Sequence, residues 1–179
     1  TPIIGIGGGV TTDLAGFVAA TALRGVPWVA VPTTLLAAVD ATVGGKTGVD
    51  LPPLGKNLLG AFHHPDQVVV DLDYLTTLPD DEWRQGLAEV VKIAWIRSAS
   101  FVDEIETVAR STGLAGVQQD ADRLLGWVRR SIEAKAAIVE HDEREAGARM
   151  LLNAGHTFGH ALEVASGFSL PHGRAVALG

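Results

Sequence analysis

Cysteine is absent from the 179-residue sequence, which excludes disulfide bridges and thiolate metal sites. Long apolar runs are also missing: residues 26–36 are interrupted by Pro27 and Pro32, and no stretch reaches the roughly 18 residues of a membrane-spanning helix. No secretory leader pattern is visible at Thr1, so we expect a cytoplasmic protein. A net charge of -7 argues against a general nucleic-acid-binding surface. Any strong metal ligand must therefore be His, Asp or Glu.

Alternating strand and helix patterns in the first part of the chain predict a parallel α/β layer. Residues 41–57 are rich in glycine, proline and lysine, and this stretch is long for a simple connection, so it is predicted to be an irregular functional loop. The predicted strands cover residues 2–6, 28–31 and 68–71, and the predicted helices cover about residues 11–23 and 35–40.

Beyond Pro79 the strand patterns stop, and amphipathic helical patterns replace them. This change places a domain boundary at Pro79, between an α/β part and an all-helical part. Both ends of the chain look cut, which suggests a fragment of a longer polypeptide. The predicted helices cover residues 80–97, 101–110, 121–139 and 150–165.

Two glycine-rich segments offer backbone amides or ammonium groups to phosphate. Residues 5–9 (GIGGG) lie between a strand and a helix, where they could accept a diphosphate or form only a tight turn. Residues 44–47 (GGKT), with Lys56 and Asn57, could bind a phosphate monoester or form a solvated basic loop. The P-loop spacing is absent, which excludes nucleotide hydrolysis of that type.

His156 and His160 are four residues apart in a predicted helix, so both imidazoles lie on one face and could bind a metal ion. Glu89 and His172 could complete a site suited to zinc. The alternatives remain open: the histidines could serve only packing, and Glu89 could form an ordinary ion pair within its helix.

A carboxylate-binding group is also predicted in the helical part. Arg149 and Asn153 lie one helical turn apart, so they can share a face and bind an acidic substrate together. Lys135 could add a third donor, and the alternative of a purely structural role is stronger for this lysine than for Arg149 and Asn153.

Taken in order along the chain, these segments resemble 3-dehydroquinate synthases. The similarity runs almost from end to end, and agreement of so many separate segments in one order excludes chance. The matching segments are residues 7–17 (GGGVTTDLAGF), 23–25 (LRG), 31–36 (VPTTLL), 39–40 (VD), 43–48 (VGGKTG), 55–57 (GKN), 86–92 (GLAEVVK), 142–145 (DERE), 152–160 (LNAGHTFGH) and 172–173 (HG).

The resemblance implies a role for each matched residue. It assigns His160 to the catalytic pocket and not to the metal, which overrides the spacing argument. The implied metal ligands are Glu89, His156 and His172. The implied NAD contacts are Gly8, Gly9, Asp13, Thr33 and Thr34, with part of the adenosine site N-terminal to this stretch. Phosphate binding is implied for Lys46 and Asn57, with Arg24 reaching a neighbouring subunit. Asp40, Lys56 and Lys92 match residues that meet substrate hydroxyls or the cofactor, and Lys135, Arg149 and Asn153 match the carboxylate-binding group.

The fold and activity implied by this family are specific. The fold is a Rossmann-like parallel sheet portion followed by an all-helical domain, so residues 1–79 would be the end of an NAD-binding domain and residues 80–179 a metal- and substrate-binding domain. The implied reaction converts 3-deoxy-D-arabino-heptulosonate 7-phosphate to 3-dehydroquinate and phosphate in the shikimate pathway. This lyase would use NAD and zinc or cobalt, and a homodimer is expected.

Three rival functions compete with the implied one. A cyclase acting on a neutral sugar phosphate is disfavoured because Lys135, Arg149 and Asn153 would lack a partner. A metal-dependent polyol dehydrogenase is disfavoured by the GGKT segment. A non-catalytic paralogue or inactive fragment is the third rival, and the intact ligand set disfavours a degenerate paralogue. The residues that depart from the family pattern are Thr12, Asp50, the extra residue at Pro52-Pro53, Ile93 and Arg174.

Overall fold

The computed structural model describes residues 1–51 and 55–179, with backbone alone for residues 55–57. Pro52-Pro53 and the side chains of Lys56 and Asn57 therefore lie outside the described part. The strands are β1 (Ile3–Gly7), β2 (Trp28–Pro32), β3 (Lys46–Leu51), β4 (Gly55–Phe62) and β5 (Gln67–Val68). The α-helices are α1 (Gly9–Thr21), α2 (Asp80–Arg97), α3 (Ala99–Ser111), α4 (Gly113–Gln119), α5 (Ala121–His141), α6 (His156–Ala165) and α7 (His172–Leu178).

A parallel sheet of order β1-β2-β5 forms the first layer, as the alternating pattern predicts. Helix α1 follows β1 directly, and its buried face packs on the sheet. Ala19, Trp28 and Ala30 form this small core, with Ala15 packed against it. Alanines and glycines on α1 let the helix lie close to the strands; a Cβ at Gly16 would come within 2.8 Å of the Trp28 ring.

The predicted irregular loop over residues 41–57 is wrong for its second half. Strands β3 and β4 pair there as an antiparallel two-stranded sheet, and the Thr47 hydroxyl donates to the Ala61 carbonyl at 2.9 Å. A Cβ at Gly60 would lie 2.5 Å from the Thr47 carbonyl oxygen, so the strands approach closely because glycine is present. Glycines that serve close strand pairing gave the segment the composition of a loop.

All strands of the described residues precede Pro79, and from Asp80 onward the regular elements are helices, which confirms the α/β-then-helical fold class. The division into two domains at Pro79 stays a prediction. The predicted helix over residues 150–165 is wrong as one element, because Gly155, at φ 78°, separates a 3₁₀ segment (Ala148–Asn153) from α6. Within the described residues, no helix is both long and apolar enough to cross a membrane.

The helical core is built on aromatic and branched side chains from α2, α3 and α5. Trp83, Val90, Phe101 and Trp127 are its buried centre, and the rings of Phe101 and Trp127 meet edge to face with centroids 6.3 Å apart. A short helical turn through Leu35 also joins this cluster. The first layer and the helical part therefore pack on each other along this turn and α2.

Two glycines let backbones approach α2. A Cβ at Gly86 would lie 2.5 Å from the Leu35 Cβ and 2.7 Å from the Leu36 nitrogen, and a Cβ at Gly173 would lie 2.4 Å from the Gln85 Cα. Such distances leave no room for a methyl group. Gly173 therefore seats the start of α7 against α2 and brings His172 close to α2.

We predict that Gly86→Ala destabilises the protein by about 1–3 kcal/mol, because overpacking against backbone outweighs the gain in helix propensity. The measurement is the free energy of unfolding in denaturant. Gly126→Ala is the matched control: Gly126 also lies inside a helix, but a Cβ there meets nothing within 4 Å. It should stabilise by roughly 0.5–1 kcal/mol. Equal effects of the two substitutions would contradict the packing argument.

Candidate active site

A cleft of about 840 Å³ lies between the α/β layer and the helices. Its walls come from α1, the turn after β2, β3, α2, α5, α6 and α7, so residues far apart in sequence meet there. The predicted site residues that line it are Gly9, Asp13, Asp40, Lys46, Lys92, Lys135, Arg149, Asn153, His156, His160 and His172.

Other predicted site residues do not line this cleft. Arg24 is exposed after α1. Gly8, Thr33 and Thr34 lie where β1 and β2 end, and a Cβ at Gly8 would come within 3.1 Å of the Thr34 methyl group. The Thr34 hydroxyl accepts from the Ala37 amide at 3.1 Å. These residues form a narrow corner beside the N-terminus of α1, where amides without helical partners and the absence of a side chain at Gly8 suit a diphosphate.

Glu89 lies behind the cleft wall, on α2, and none of its surface is exposed. Neither carboxylate oxygen takes a hydrogen bond from any described residue, although the Lys92 ammonium forms an ion pair with Oε2. Oε1 faces two imidazoles, with His172 Nε2 at 3.5 Å and His156 Nε2 at 3.8 Å. A buried carboxylate is costly unless a cation neutralises it. This carboxylate with two imidazoles is a donor set that fits zinc or a similar ion.

The imidazoles of His156 and His172 are positioned by the first turns of two helices. His156 is the first residue of α6, after the left-handed Gly155, and its Nδ1 lies 3.1 Å from the Ala154 carbonyl oxygen. His172 is the first residue of α7, and the two rings lie 5.1 Å apart. Burial and the Lys92 charge lower the pKa of His156, whereas the Glu89 carboxylate raises the pKa of His172. The two imidazoles therefore lie in different electrostatic surroundings.

His160 lies one turn further along α6 and differs from His156 in its surroundings. Its side chain is 62% exposed, against 13% for His156, and its Nε2 lies 4.0 Å from Glu163 Oε2. One nitrogen from each of the three histidines falls within 4.8 Å of the others, so an all-imidazole site is the alternative to the set with Glu89. The two possible donor sets differ in burial, because Glu89 is fully buried whereas His160 is mostly exposed.

Carboxylates and ammonium groups alternate along the opposite wall. The Lys135 ammonium donates to the Asp40 carbonyl and to Asp40 Oδ1, both at 2.6 Å. Burial alone would raise the pKa of Asp40, but the charges of Lys135 and Lys92 and the hydrogen bond from Lys135 together outweigh it and hold that pKa well below its usual value. Burial and the Asp40 charge together raise the pKa of Asp13 to about 7. Asp13 is therefore the group of this wall that changes charge near neutral pH.

The predicted carboxylate-binding group has partners within the protein. Arg149 is buried, and its guanidinium donates to the Gly44 carbonyl at 2.8 Å and also to the Glu143 carbonyl. It thereby fixes the turn before Lys46. Asn153 donates to Glu145 Oε1 at 2.6 Å.

Glu145 and Glu163 are two acidic cleft residues to which the sequence analysis gave no role. Glu145 pairs with the Lys46 ammonium, and the pKa of Glu145 is lowered because this pair and the Asn153 amide outweigh burial. The DERE segment contained Glu145, and its φ of 61° is a conformation that few non-glycine residues adopt. Glu163 follows His160 by three residues, and that helical spacing was the available signal.

The match to known proteins extends over the whole chain. The model of the 3-dehydroquinate synthase N-terminal region matches residues 1–85, and that of the C-terminal region matches residues 86–179. The 3-dehydroquinate synthase of Nitrosospira multiformis is 54% identical over 180 residues, covering 100% of this chain and 48% of that protein. This chain spans about half the length of the curated relatives it matches.

Two solved structures share the fold closely. A 2-epi-5-epi-valiolone synthase from Streptomyces hygroscopicus, with NAD⁺ and Zn²⁺ bound, is 34% identical with a TM-score of 0.88, over 98% of this chain and 48% of that one. A 2-deoxy-scyllo-inosose synthase, complexed with carbaglucose-6-phosphate, NAD⁺ and Co²⁺, is 32% identical with a TM-score of 0.86, over 98% of this chain and 47% of that one. With both regional models matched from end to end, the chain belongs to the 3-dehydroquinate synthase family.

Proposed function

We propose that the protein is a 3-dehydroquinate synthase, a phosphate-eliminating lyase that converts 3-deoxy-D-arabino-heptulosonate 7-phosphate to 3-dehydroquinate. The observation that carries this proposal is one cleft whose lining includes three lysines and an arginine, and two imidazoles that face a buried carboxylate behind its wall. Relatives more than 50% identical carry this name, and the shikimate pathway follows from it. Residues 1–79 would complete the NAD-binding domain, and residues 80–179 would form the metal- and substrate-binding domain.

The proposed metal ligands are Glu89, His156 and His172, with zinc or cobalt as the ion. Support comes from the burial of Glu89, whose two oxygens take no hydrogen bond from described residues, and from the two Nε2 atoms that face it. The exposed His160 stays outside this set and is free to handle protons. A bound divalent ion supplies Lewis acidity that lowers the pKa of a substrate hydroxyl.

NAD is the proposed second cofactor, and it supplies a hydride acceptor and donor within one catalytic cycle. The glycine corner of Gly8, Gly9 and Thr34 would receive its diphosphate at the start of α1, with Thr33 beside it. Asp13 lies on α1, one turn further on, and lines the cleft. It would therefore reach the part of the cofactor that enters the cleft, and Lys56 is proposed as a further contact.

The chain's own residues would bind and orient the substrate by exchanging partners. The Lys46 ammonium, which pairs with Glu145, would form an ion pair with the substrate phosphate instead, and Asn57 would also bind this phosphate. Arg149, Asn153 and Lys135 would bind the carboxylate, while Lys92 and Asp40 hold hydroxyl groups. The exposed imidazole of His160 would accept and return a proton.

A second subunit would complete the phosphate site. Arg24 is exposed, at φ 69°, in the turn after α1 and does not line the cleft of its own chain. Its proposed target is the phosphate site of a neighbouring copy, which makes a homodimer the proposed assembly. The curated relatives are biosynthetic enzymes by name, and we propose the cytoplasm as the location.

We predict that the full-length protein releases phosphate from the keto acid phosphate only when NAD and a divalent metal ion are both present. A chelator should abolish phosphate release, and added zinc or cobalt should restore it, because the buried carboxylate and imidazoles need the ion to act on the substrate. Phosphate release is the measurement. Turnover that survives complete removal of the metal would contradict the proposal.

His156→Ala should lose both bound metal and activity, because one of the proposed ligands is gone. We expect metal affinity to fall by at least 10- to 100-fold, since loss of an outer-shell partner alone costs about that much. Metal content after dialysis is the measurement. His141→Ala, at an exposed histidine near the end of α5, is the matched control and should retain metal. Full metal content in the His156 variant would refute this ligand assignment.

A third prediction separates this function from that of cyclases acting on neutral sugar phosphates. The protein should prefer the keto acid phosphate over a heptulose phosphate without the carboxylate by roughly 100-fold or more in kcat/KM, because only the acidic substrate offers a carboxylate to Arg149 and Asn153. Comparison of the two substrates at equal metal and NAD is the measurement. Preference for the neutral substrate would contradict the proposal and favour a valiolone-type activity.

A fourth prediction concerns Asp13, whose pKa is raised to about 7. The protonated form is favoured in the folded state, so its stabilising effect is complete below the unfolded pKa near 4 and is lost as pH rises through about 7. Asp13→Asn cannot ionise at this position, so it should not lose this stability as the pH rises. Between pH 4 and 8, the difference in free energy of unfolding between the variant and wild type should shift by about 1–2 kcal/mol in favour of the variant, after allowance for solvent screening. The exposed Asp66→Asn is the control. The same gain in that control would contradict the burial argument.

A further inference from the structure

We infer that Glu163 is the positioning residue for His172: its buried carboxylate holds Nδ1 of that imidazole and thereby directs Nε2 at Glu89. This inference rests on the proposed function, because it concerns the metal site proposed there. Glu163 lies on α6, seven residues after His156, and only 2% of its surface is exposed. None of the roles derived from the sequence involves it.

The two nitrogens of His172 face two different carboxylates. Nε2 lies 3.5 Å from Glu89 Oε1, on α2, and Nδ1 lies 3.6 Å from Glu163 Oε2. The imidazole is thus placed between acidic groups from separate helices, one in front of each nitrogen. A ring held in this way cannot flip without exchanging both contacts.

The orientation decides whether His172 can bind an ion. A neutral imidazole carries one N–H and one free lone pair, and only the lone pair can coordinate a metal. With Glu89 engaged as a ligand, an acceptor at Nδ1 keeps the proton there and leaves the Nε2 lone pair for the ion, and metal-binding histidines commonly have such a partner. Glu163 supplies this acceptor on the side of the ring that faces away from Glu89.

His156 shows the same arrangement by another route. Its Nδ1 lies 3.1 Å from the Ala154 carbonyl oxygen, and its Nε2 faces Glu89. Both imidazoles therefore have an acceptor at Nδ1 and present Nε2 to the same carboxylate. His160 is arranged differently, since its Nε2 is the nitrogen that faces Glu163, at 4.0 Å. Glu163 thus faces Nδ1 of the proposed ligand, His172, but Nε2 of the proposed proton carrier, His160.

Removing the charge of Glu163 at constant size tests the inference. In the full-length protein, Glu163→Gln should weaken zinc binding by about 10- to 100-fold, measured by competition with a chromophoric chelator at fixed pH. The absorption spectrum of the cobalt-loaded variant should also change, and Glu163→Asp should recover part of the affinity. Glu133→Gln, at an exposed glutamate on α5, is the matched control and should leave affinity unchanged.

A second measurement needs no substitution in Glu163. In zinc-loaded wild type labelled with ¹⁵N-histidine, the His172 resonances, assigned with a His172→Ala sample, should show the proton on Nδ1. A proton on Nε2 would overturn the inference, and so would a Glu163→Gln protein that keeps zinc affinity within twofold and an unchanged cobalt spectrum. If Glu163→Gln fails to fold, the tautomer and the Glu163→Asp affinity decide.

The failures of the two proposals look different. If His172→Ala binds zinc as tightly as wild type, the proposed metal site and function fail, whatever Glu163 does, and the inference falls with them. If His172→Ala loses zinc but Glu163→Gln does not, only the positioning role of Glu163 fails.

Discussion

The burial of the Glu89 carboxylate is the constraint on which the rest of the site depends. Its oxygens take no hydrogen bond from described residues, so charges of opposite sign have to compensate it. The Lys92 ammonium, one turn along α2, approaches from one side, and two helix starts bring imidazoles to the other. Helix α7 can approach only because Gly173 lies against the backbone of Gln85. The close packing at Gly173 is thus a condition for bringing His172 to the buried carboxylate.

The cations of the cleft are engaged with protein groups before any substrate arrives. Lys135 is paired with Asp40, Lys46 with Glu145, and Arg149 with main-chain carbonyls. Such pairing avoids isolated buried charge and fixes each side chain in one position. Binding of the proposed anionic substrate would replace these partners by substrate groups, so the net electrostatic gain would be smaller than the count of positive charges suggests. Shape and position of the donors therefore contribute much of the selectivity.

The sequence predicted the fold class and the position of α2, because hydrophobic periodicity and an acidic first turn are local signals. It failed for β3 and β4, because glycines that permit close strand pairing look like loop glycines. It also failed at Gly155, where a left-handed residue breaks a pattern that is otherwise continuous. Glu145 and Glu163 received no role because their function depends on neighbours distant in sequence, and no local pattern reports those neighbours.

The two histidines of α6 show what spacing can and cannot predict. Residues four apart share a helix face, and the rings of His156 and His160 do lie 5.2 Å apart. Face alone does not decide chemistry, because positions along one helix differ in exposure: His156 and Glu163 are covered, whereas His160, between them, is not. His156, at the first turn, is covered and faces Glu89, whereas His160, one turn later, is mostly exposed and faces Glu163. Two identical side chains on one face thereby meet different charges and different solvent access, which is the basis for proposing one as a metal ligand and the other as a proton carrier.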